Sequence, residues 1–186
     1  MAHRVCPWWI GYFLASPIRR WLSEKPEILL APWVKSGMTI VEPGPGMGFF
    51  TLPMARMAGP SGRVIAVDIQ PKMLASLNRR ARKAGLEGRI ETRLVQPGSM
   101  GLDDLRGAAD FALVFAVVHE VPSAAGFFAE IASALKRGGL LLFAEPAGHV
   151  SPEDFESEIK AAQLAGLAEI SRPSVRRSHA GLLKKV

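Results

Sequence analysis

Residues 38–50 read Met38-Thr39-Ile40-Val41-Glu42-Pro43-Gly44-Pro45-Gly46-Met47-Gly48-Phe49-Phe50, and their pattern decides the fold. Thr39, Ile40 and Val41 favour a strand. Glu42 leads into a loop with glycine at 44, 46 and 48, and a helical pattern begins at Phe49. This predicts a strand over 38–42 and a helix over 49–57. A glycine loop between a strand and a helix lets backbone N–H groups approach a ligand, because no Cβ stands in the way. The dinucleotide fingerprint G-x-G-x-x-G would place its third glycine at 49. Phe49 stands there, so the spacing is acidic-x-G-x-G-x-G and an NAD oxidoreductase is disfavoured.

The chain beyond this stretch alternates strand and helix. Arg63–Asp68, RVIAVD, is a near-continuous apolar run of the kind found in parallel strands covered on both faces. A helix is expected over 71–85, with Pro71 at its first position, Met73, Leu74, Leu77, Ala81 and Ala84 at helical spacing, and Gly85 as its cap. Further strands are expected over 89–95, 110–118 and 140–145, with a short helix at 102–105 and a longer one over 123–136. Ser151 is the expected N-cap of a helix reaching about residue 165, with Pro152, Glu153 and Asp154 in its first turn. Two last strands, near 167–171 and 175–184, would pair antiparallel. Successive β-then-α units imply an α/β fold: a doubly wound, mostly parallel seven-stranded sheet, Rossmann-like, at residues 37–186. Residues 1–36 read as an N-terminal helical extension, punctuated by Pro17 and Pro26 and rich in Trp8, Trp9, Tyr12, Phe13 and Trp21. This extension is a candidate lid.

Composition sets outer bounds. The chain has 186 residues, 48% hydrophobic and 22% charged, which suits one well-buried globular domain and excludes a disordered chain. One cysteine, Cys6, cannot form an internal disulfide, so a reducing, cytoplasmic setting is expected. No apolar run approaches the roughly 18 residues of a membrane span. Pro7, the tryptophans and Arg19-Arg20 argue against a signal peptide. The net charge of +6 gathers at Arg79-Arg80-Arg82-Lys83 and in the tail after Arg172. Neither cluster interleaves aromatics that would stack on bases, which favours a small-molecule substrate over nucleic acid. Nothing in the sequence fixes the oligomeric state.

Asp68 ends the second strand about 20 residues beyond the glycine loop, where a carboxylate can hold both hydroxyls of a ribose. With these residues in place, the chain resembles class I S-adenosylmethionine-dependent methyltransferases, in particular the ubiquinone/menaquinone biosynthesis group. Asp68-Ile69-Gln70-Pro71-Lys72-Met73-Leu74 resembles that group's D-x-S-x-x-M-L segment. The run from Asp110 through Phe115 to His119-Glu120-Val121-Pro122 resembles its fourth-strand motif, often ending L-H-H-V-P. Leu135-Lys136-Arg137-Gly138-Gly139 resembles its L-K-P-G-G. The resemblance implies S-adenosyl-L-methionine as cofactor and a transferase. It implies Glu42 near the methionine amino group, the Gly44, Gly46 and Gly48 backbone along the cofactor, Asp68 at the ribose, Ile69 beside the adenine and the chain at Phe115 and Ala116 near the methionine end. Two positions depart from the pattern. Gln96-Pro97-Gly98-Ser99 replaces a frequent G-D, leaving Gln96 or Ser99 to supply that contact, and Phe115 replaces a frequent asparagine.

His119, just past the fourth strand, is the candidate catalytic base, with Glu120 to orient it or to bind substrate. Glu145 and His149 follow the fifth strand and are candidate substrate contacts. These four residues lack a recognisable metal-ligand spacing, so no metal is expected. With Cys6 alone, arsenite methylation is disfavoured. Three functions remain open: methyl transfer to a small, apolar acceptor, an RNA or protein methyltransferase using the basic tail, and a non-catalytic protein that binds the cofactor.

Overall fold

A computed structural model describes residues 25–186. Cys6 and the aromatic residues from Trp8 to Trp21 lie outside the described residues. The described residues hold seven strands in a mixed sheet. The described residues fall into two compact units, 25–95 and 96–186.

Residues 25–95 begin with a short helix α1 (Pro26–Leu30), whose Leu29 and Leu30 are buried and which packs on α2 (Thr51–Ala58). Strands β1 (Thr39–Pro43), β2 (Arg63–Asp68) and β3 (Ile90–Leu94) are parallel, with Val41 beside Ile65 and Val64 beside Ile90. Every β2 residue after Arg63 is buried, as the apolar run requires. Helix α3 (Pro71–Lys83) buries Met73, Leu74, Leu77 and Ala81 and leaves Arg79, Arg82 and Lys83 outside. It stops two residues before Gly85 because its end is a Schellman turn: Leu86 N–H donates to Ala81 C=O at 2.9 Å and Gly85 N–H to Arg82 C=O at 3.0 Å. Helix α2 likewise starts at Thr51, not Phe49. Residues 46–50 are spent on a turn closed by Gly48 N–H to Pro45 C=O, 2.9 Å.

Residues 96–186 hold β4 (Ala109–Phe115), α4 (Ala124–Ala134), β5 (Leu135–Pro146), α5 (Pro152–Leu164), β6 (Leu167–Ser171) and β7 (Ser178–Lys185). β4 and β5 are parallel, while β7 is antiparallel to both β5 and β6. The expected α4 extends too far at its end. Leu135 already turns extended and pairs with Ala109, and Lys136-Arg137-Gly138-Gly139 forms a bulge before Leu140 pairs with Phe111. Lys136 Nζ bonds Asp110 Oδ1 at 2.6 Å beside it. β4 also ends earlier than its apolar run suggests. Ala116 takes a left-handed φ of 59°, and Val118–Glu120 becomes a 3-10 turn. β7 begins at Ser178 after a second left-handed residue, Arg177. The Ser151 cap is present, its Oγ accepting from Asp154 N–H at 3.1 Å. Phe143 of β5 stacks on Phe155 of α5 at 5.0 Å and meets Phe128 of α4 edge-on at 5.2 Å, so both helices cover one face of this strand. Among the described residues, no helix is long and apolar enough to cross a membrane.

Candidate active site

In residues 25–95 the site is built from the carboxyl ends of β1 and β2. Glu42 occupies the next-to-last position of β1 and is 3% exposed. Thr51 at the start of α2 donates its hydroxyl to Glu42 Oε2 at 2.5 Å. Burial pushes the Glu42 carboxyl up to about 8, the Thr51 bond acting against this and the nearby Asp68 charge adding to it. The loop then takes φ of 66°, 54° and 88° at Gly44, Gly46 and Gly48, a left-handed run that only glycine adopts without strain. Gly44 N–H is tied to Val67 C=O of β2 at 2.8 Å. A Cβ on Gly48 would stand 2.5 Å from Leu77 Cδ1, so that glycine lets α3 pack on the loop. A Cβ on Gly46 would meet nothing within 4 Å: the backbone there is bare on one side.

Asp68 ends β2, mostly buried, and accepts from Gln70 N–H at 2.9 Å, which turns the chain into α3. Ile69, partly exposed, sits in that turn. Arg80 of α3 was not singled out by the sequence, yet its Nη1 donates to Met47 C=O of the loop at 2.5 Å across 33 residues. Partial burial pulls its guanidinium below the usual range. A run of four basic residues in five hides such a role, since only burial separates Arg80 from its exposed neighbours.

In residues 96–186 the candidate catalytic side chains gather at the turn after β4. Glu145 of β5 is 0% exposed, and both its oxygens are engaged. Oε1 accepts from Val117 N–H at 3.0 Å and Val118 N–H at 2.7 Å, while Oε2 meets His119 Nδ1 at 2.5 Å. A carboxylate already accepting two N–H bonds takes a third from the ring, so Nδ1 carries hydrogen. The lone pair of the neutral imidazole then sits on Nε2. The Glu145 bond raises the His119 pKa, with burial opposing and Glu145, Glu120 and Glu158 charges assisting. His149 meets the His119 ring edge-on, centroids 5.8 Å apart.

These contacts correct two expectations. Glu145, not Glu120, orients His119, because Glu120 Oε1 stands 3.9 Å from Nε2, beyond a hydrogen bond. Glu145 is also too enclosed to touch substrate. Glu158 of α5 was not foreseen at all. Its Oε2 is buried without a partner, and burial pushes its carboxyl up to about 7, with Glu145 adding to the effect. It follows Phe155 by one helical turn, on the stripe that covers β5; that spacing was the available signal. Gln96 is exposed in the loop after β3, and Phe115 is half-buried at the end of β4. Glu42, Gly44, Gly46, Gly48, Asp68 and Ile69 thus belong to residues 25–95, and Gln96, Phe115, His119 and Glu120 to residues 96–186. Among the described residues no group of His, Cys, Asp and Glu is arranged to hold a metal ion.

The methyltransferase-domain family matches residues 41–143, which takes in the positions from Glu42 to Glu120 but not Glu145, His149 or Glu158. The chain belongs to the S-adenosylmethionine-dependent methyltransferases. It is 31% identical over 144 residues to a ribosomal protein L11 methyltransferase of Pelotomaculum thermopropionicum, covering 77% of this chain and 42% of that one. It is 29% identical over 130 residues to a demethylmenaquinone methyltransferase of Lactobacillus johnsonii, covering 68% of this chain and 52% of that one. The chain therefore spans about half the length, or less, of these curated relatives. A crystal structure of a SAM-dependent methyltransferase from Aquifex aeolicus shares the fold with a TM-score of 0.85 and 22% identity, over 98% of this chain and 100% of that one.

The methyltransferase cofactor carries an ammonium, a ribose and a sulfonium. A buried carboxyl (Glu42), a strand-end carboxylate (Asp68) and a bare stretch of loop backbone at Gly46 are complementary to a cationic nucleoside. The residues fit the group.

Proposed function

We propose that this chain transfers the methyl group of S-adenosyl-L-methionine to a small acceptor, in the cytoplasm. The observation that carries the proposal is the left-handed glycine loop held between Glu42 and Asp68. When bound, the cofactor supplies a methyl on a positively charged sulfur. Asp68 holds the ribose hydroxyls, Ile69 borders the adenine, and the loop backbone lies along the nucleoside. Glu42 receives the ammonium, and Gln96 and the Phe115 backbone complete the contacts. His119 takes the acceptor's proton, with Glu120 beside Nε2 on the substrate side. The protein's share of the catalysis is orientation and exclusion of water, since the leaving group needs no activation.

Thermal unfolding tests this. S-adenosylhomocysteine raises the melting temperature of the wild type, NAD does not, and Asp68→Ala abolishes the shift. Stabilisation by NAD alone would overturn the cofactor assignment. A second reading, methylation of RNA or a ribosomal protein, is favoured by the Pelotomaculum relative and the excess of basic residues. It predicts RNA or ribosome binding that weakens steeply with salt. A cofactor-binding protein without catalysis would show the thermal shift but release no methylated product.

A further inference from the structure

We propose that the acceptor atom is a hydroxyl oxygen, phenolic or enolic, and that Glu145 is the positioning residue that fixes His119 Nε2 to take its proton. This rests on the reading of His119 as the base. The geometry is that of a histidine base held by a buried carboxylate at its second nitrogen, an arrangement that recurs on unrelated folds where an O–H nucleophile is deprotonated as it attacks. An ionised thiol or an unprotonated amine attacks without help, and a chain methylating one of these has no use for a buried glutamate aimed at Nδ1.

The turn is built for that purpose in its backbone as well. Ala116 is held at φ 59°, its N–H on Ala144 C=O at 2.8 Å, and the next two N–H groups converge on the carboxylate that holds the ring. A non-glycine residue in this region costs free energy and persists where its surroundings over-determine it, which is common at functional sites. One buried side chain thus sets both the strained turn and the tautomer.

The acceptor O–H bond breaks with the proton passing to Nε2, and the freed oxygen pair forms the O–CH3 bond. The S–CH3 pair stays on sulfur, giving a methyl ether and neutral S-adenosylhomocysteine, and the imidazolium later releases its proton to water. The groups facing His119 are Glu145 from β5, Glu120 from its own turn, Glu158 from α5 and His149 from the loop after β5. Three of the four are acidic, so the ring is a stronger base than free histidine, and turnover rises with pH through its raised pKa.

Two measurements test the proposal. In labelled protein, NMR of the His119 ring is expected to show hydrogen on Nδ1 and a pKa above that of free histidine, with Glu145→Gln lowering the pKa and moving the acid limb of activity to lower pH. A ring protonated on Nε2 in its neutral form, or a titration unchanged in Glu145→Gln, overturns the positioning role. Radiolabelled methyl transfer is then measured at about pH 8 to phenol, which is protonated there as a tyrosine side chain is, and to 4-nitrophenol, which is ionised. His119→Ala is expected to lose about 100-fold on phenol and to keep most of its rate on 4-nitrophenol. Equal losses on both, or methylation only of thiophenol or imidazole, overturns the proposal. If wild type methylates neither phenol while S-adenosylhomocysteine still raises its melting temperature, the hydroxyl assignment falls and the cofactor reading stands. If that ligand does not bind wild type, both fall.

Discussion

The glycine loop and the turn after β4 are both strand ends with left-handed backbone, yet they solve opposite problems. At 44–48 three glycines absorb the conformation, and at Gly46 the backbone is left bare on one side. At 116–119 an alanine is forced into the same region, and a buried glutamate collects the backbone N–H groups and aims an imidazole. In the proposed function the first is a binding surface made by removing atoms, and the second a reactive group made by constraining them. A glycine pattern is therefore visible in the chain itself, whereas a constrained base depends on a partner 26 residues away.

The sharpest way to break the loop side is Gly48→Val. A side chain there must occupy a left-handed φ and collide with Leu77. The expected destabilisation is about 1–3 kcal/mol, read by urea unfolding; an unchanged midpoint would mean that α3 does not depend on that glycine.

Next in size is Glu42→Gln. Its carboxyl, raised to about 8, is mostly protonated near neutral pH. A cationic ligand would ionise it, so S-adenosylmethionine binding at pH 7 releases a proton, seen as a buffer-dependent calorimetric heat that the variant loses. The same shift gives a stability signature. A folded-state pKa above the ordinary 4.5 contributes stability that is fully present below that value and lost as pH rises through about 8. Glu42→Gln flattens this loss in the ligand-free protein. Parallel curves for the two proteins would place Glu42 in an ordinary aqueous setting.

Arg80→Leu removes the donor on Met47 C=O while keeping much of the apolar stem. One charge-assisted bond to the loop is worth about 1.5–3 kcal/mol at most, and only part of that reaches the ligand. A loss of up to about tenfold in S-adenosylhomocysteine affinity is expected. No change in affinity would leave Arg80 a purely structural tie.

The smallest effect belongs to the turn side. Glu158→Gln is expected to lower the His119 pKa in NMR by less than Glu145→Gln does, since Glu158 acts through charge alone. It also flattens the loss of stability that the wild type shows as pH rises through about 7, the value to which burial pushes that carboxyl. A larger drop than that of Glu145→Gln would reverse their assigned roles.

The contrast also explains what the chain made legible. RVIAVD marked β2 to the residue, and Asp68 fell at its end, because a strand buried on both faces leaves nothing polar until it emerges. The Ser151 cap and the Schellman glycine were readable for the same local reason. Where pairing partners decide, local pattern misled. Val117 and Val118 look like strand, but the Glu145 carboxylate takes their N–H groups. Leu135 and Lys136 look like helix, but Leu135 pairs with Ala109. His119 stood out by its place after β4, with Glu120 read as the residue that orients it or binds substrate; the carboxylate its Nδ1 meets is Glu145. Sequence adjacency is a poor guide to which carboxylate an imidazole meets.

The central claim is that the bare backbone at 44–48 and the carboxylate at 68 hold a cationic nucleoside. A crystal structure grown with S-adenosylhomocysteine tests it most directly. The account predicts ribose hydroxyls on Asp68 and the nucleoside laid against Gly46. Ligand density elsewhere with that loop bare, under conditions that saturate the protein, would contradict it.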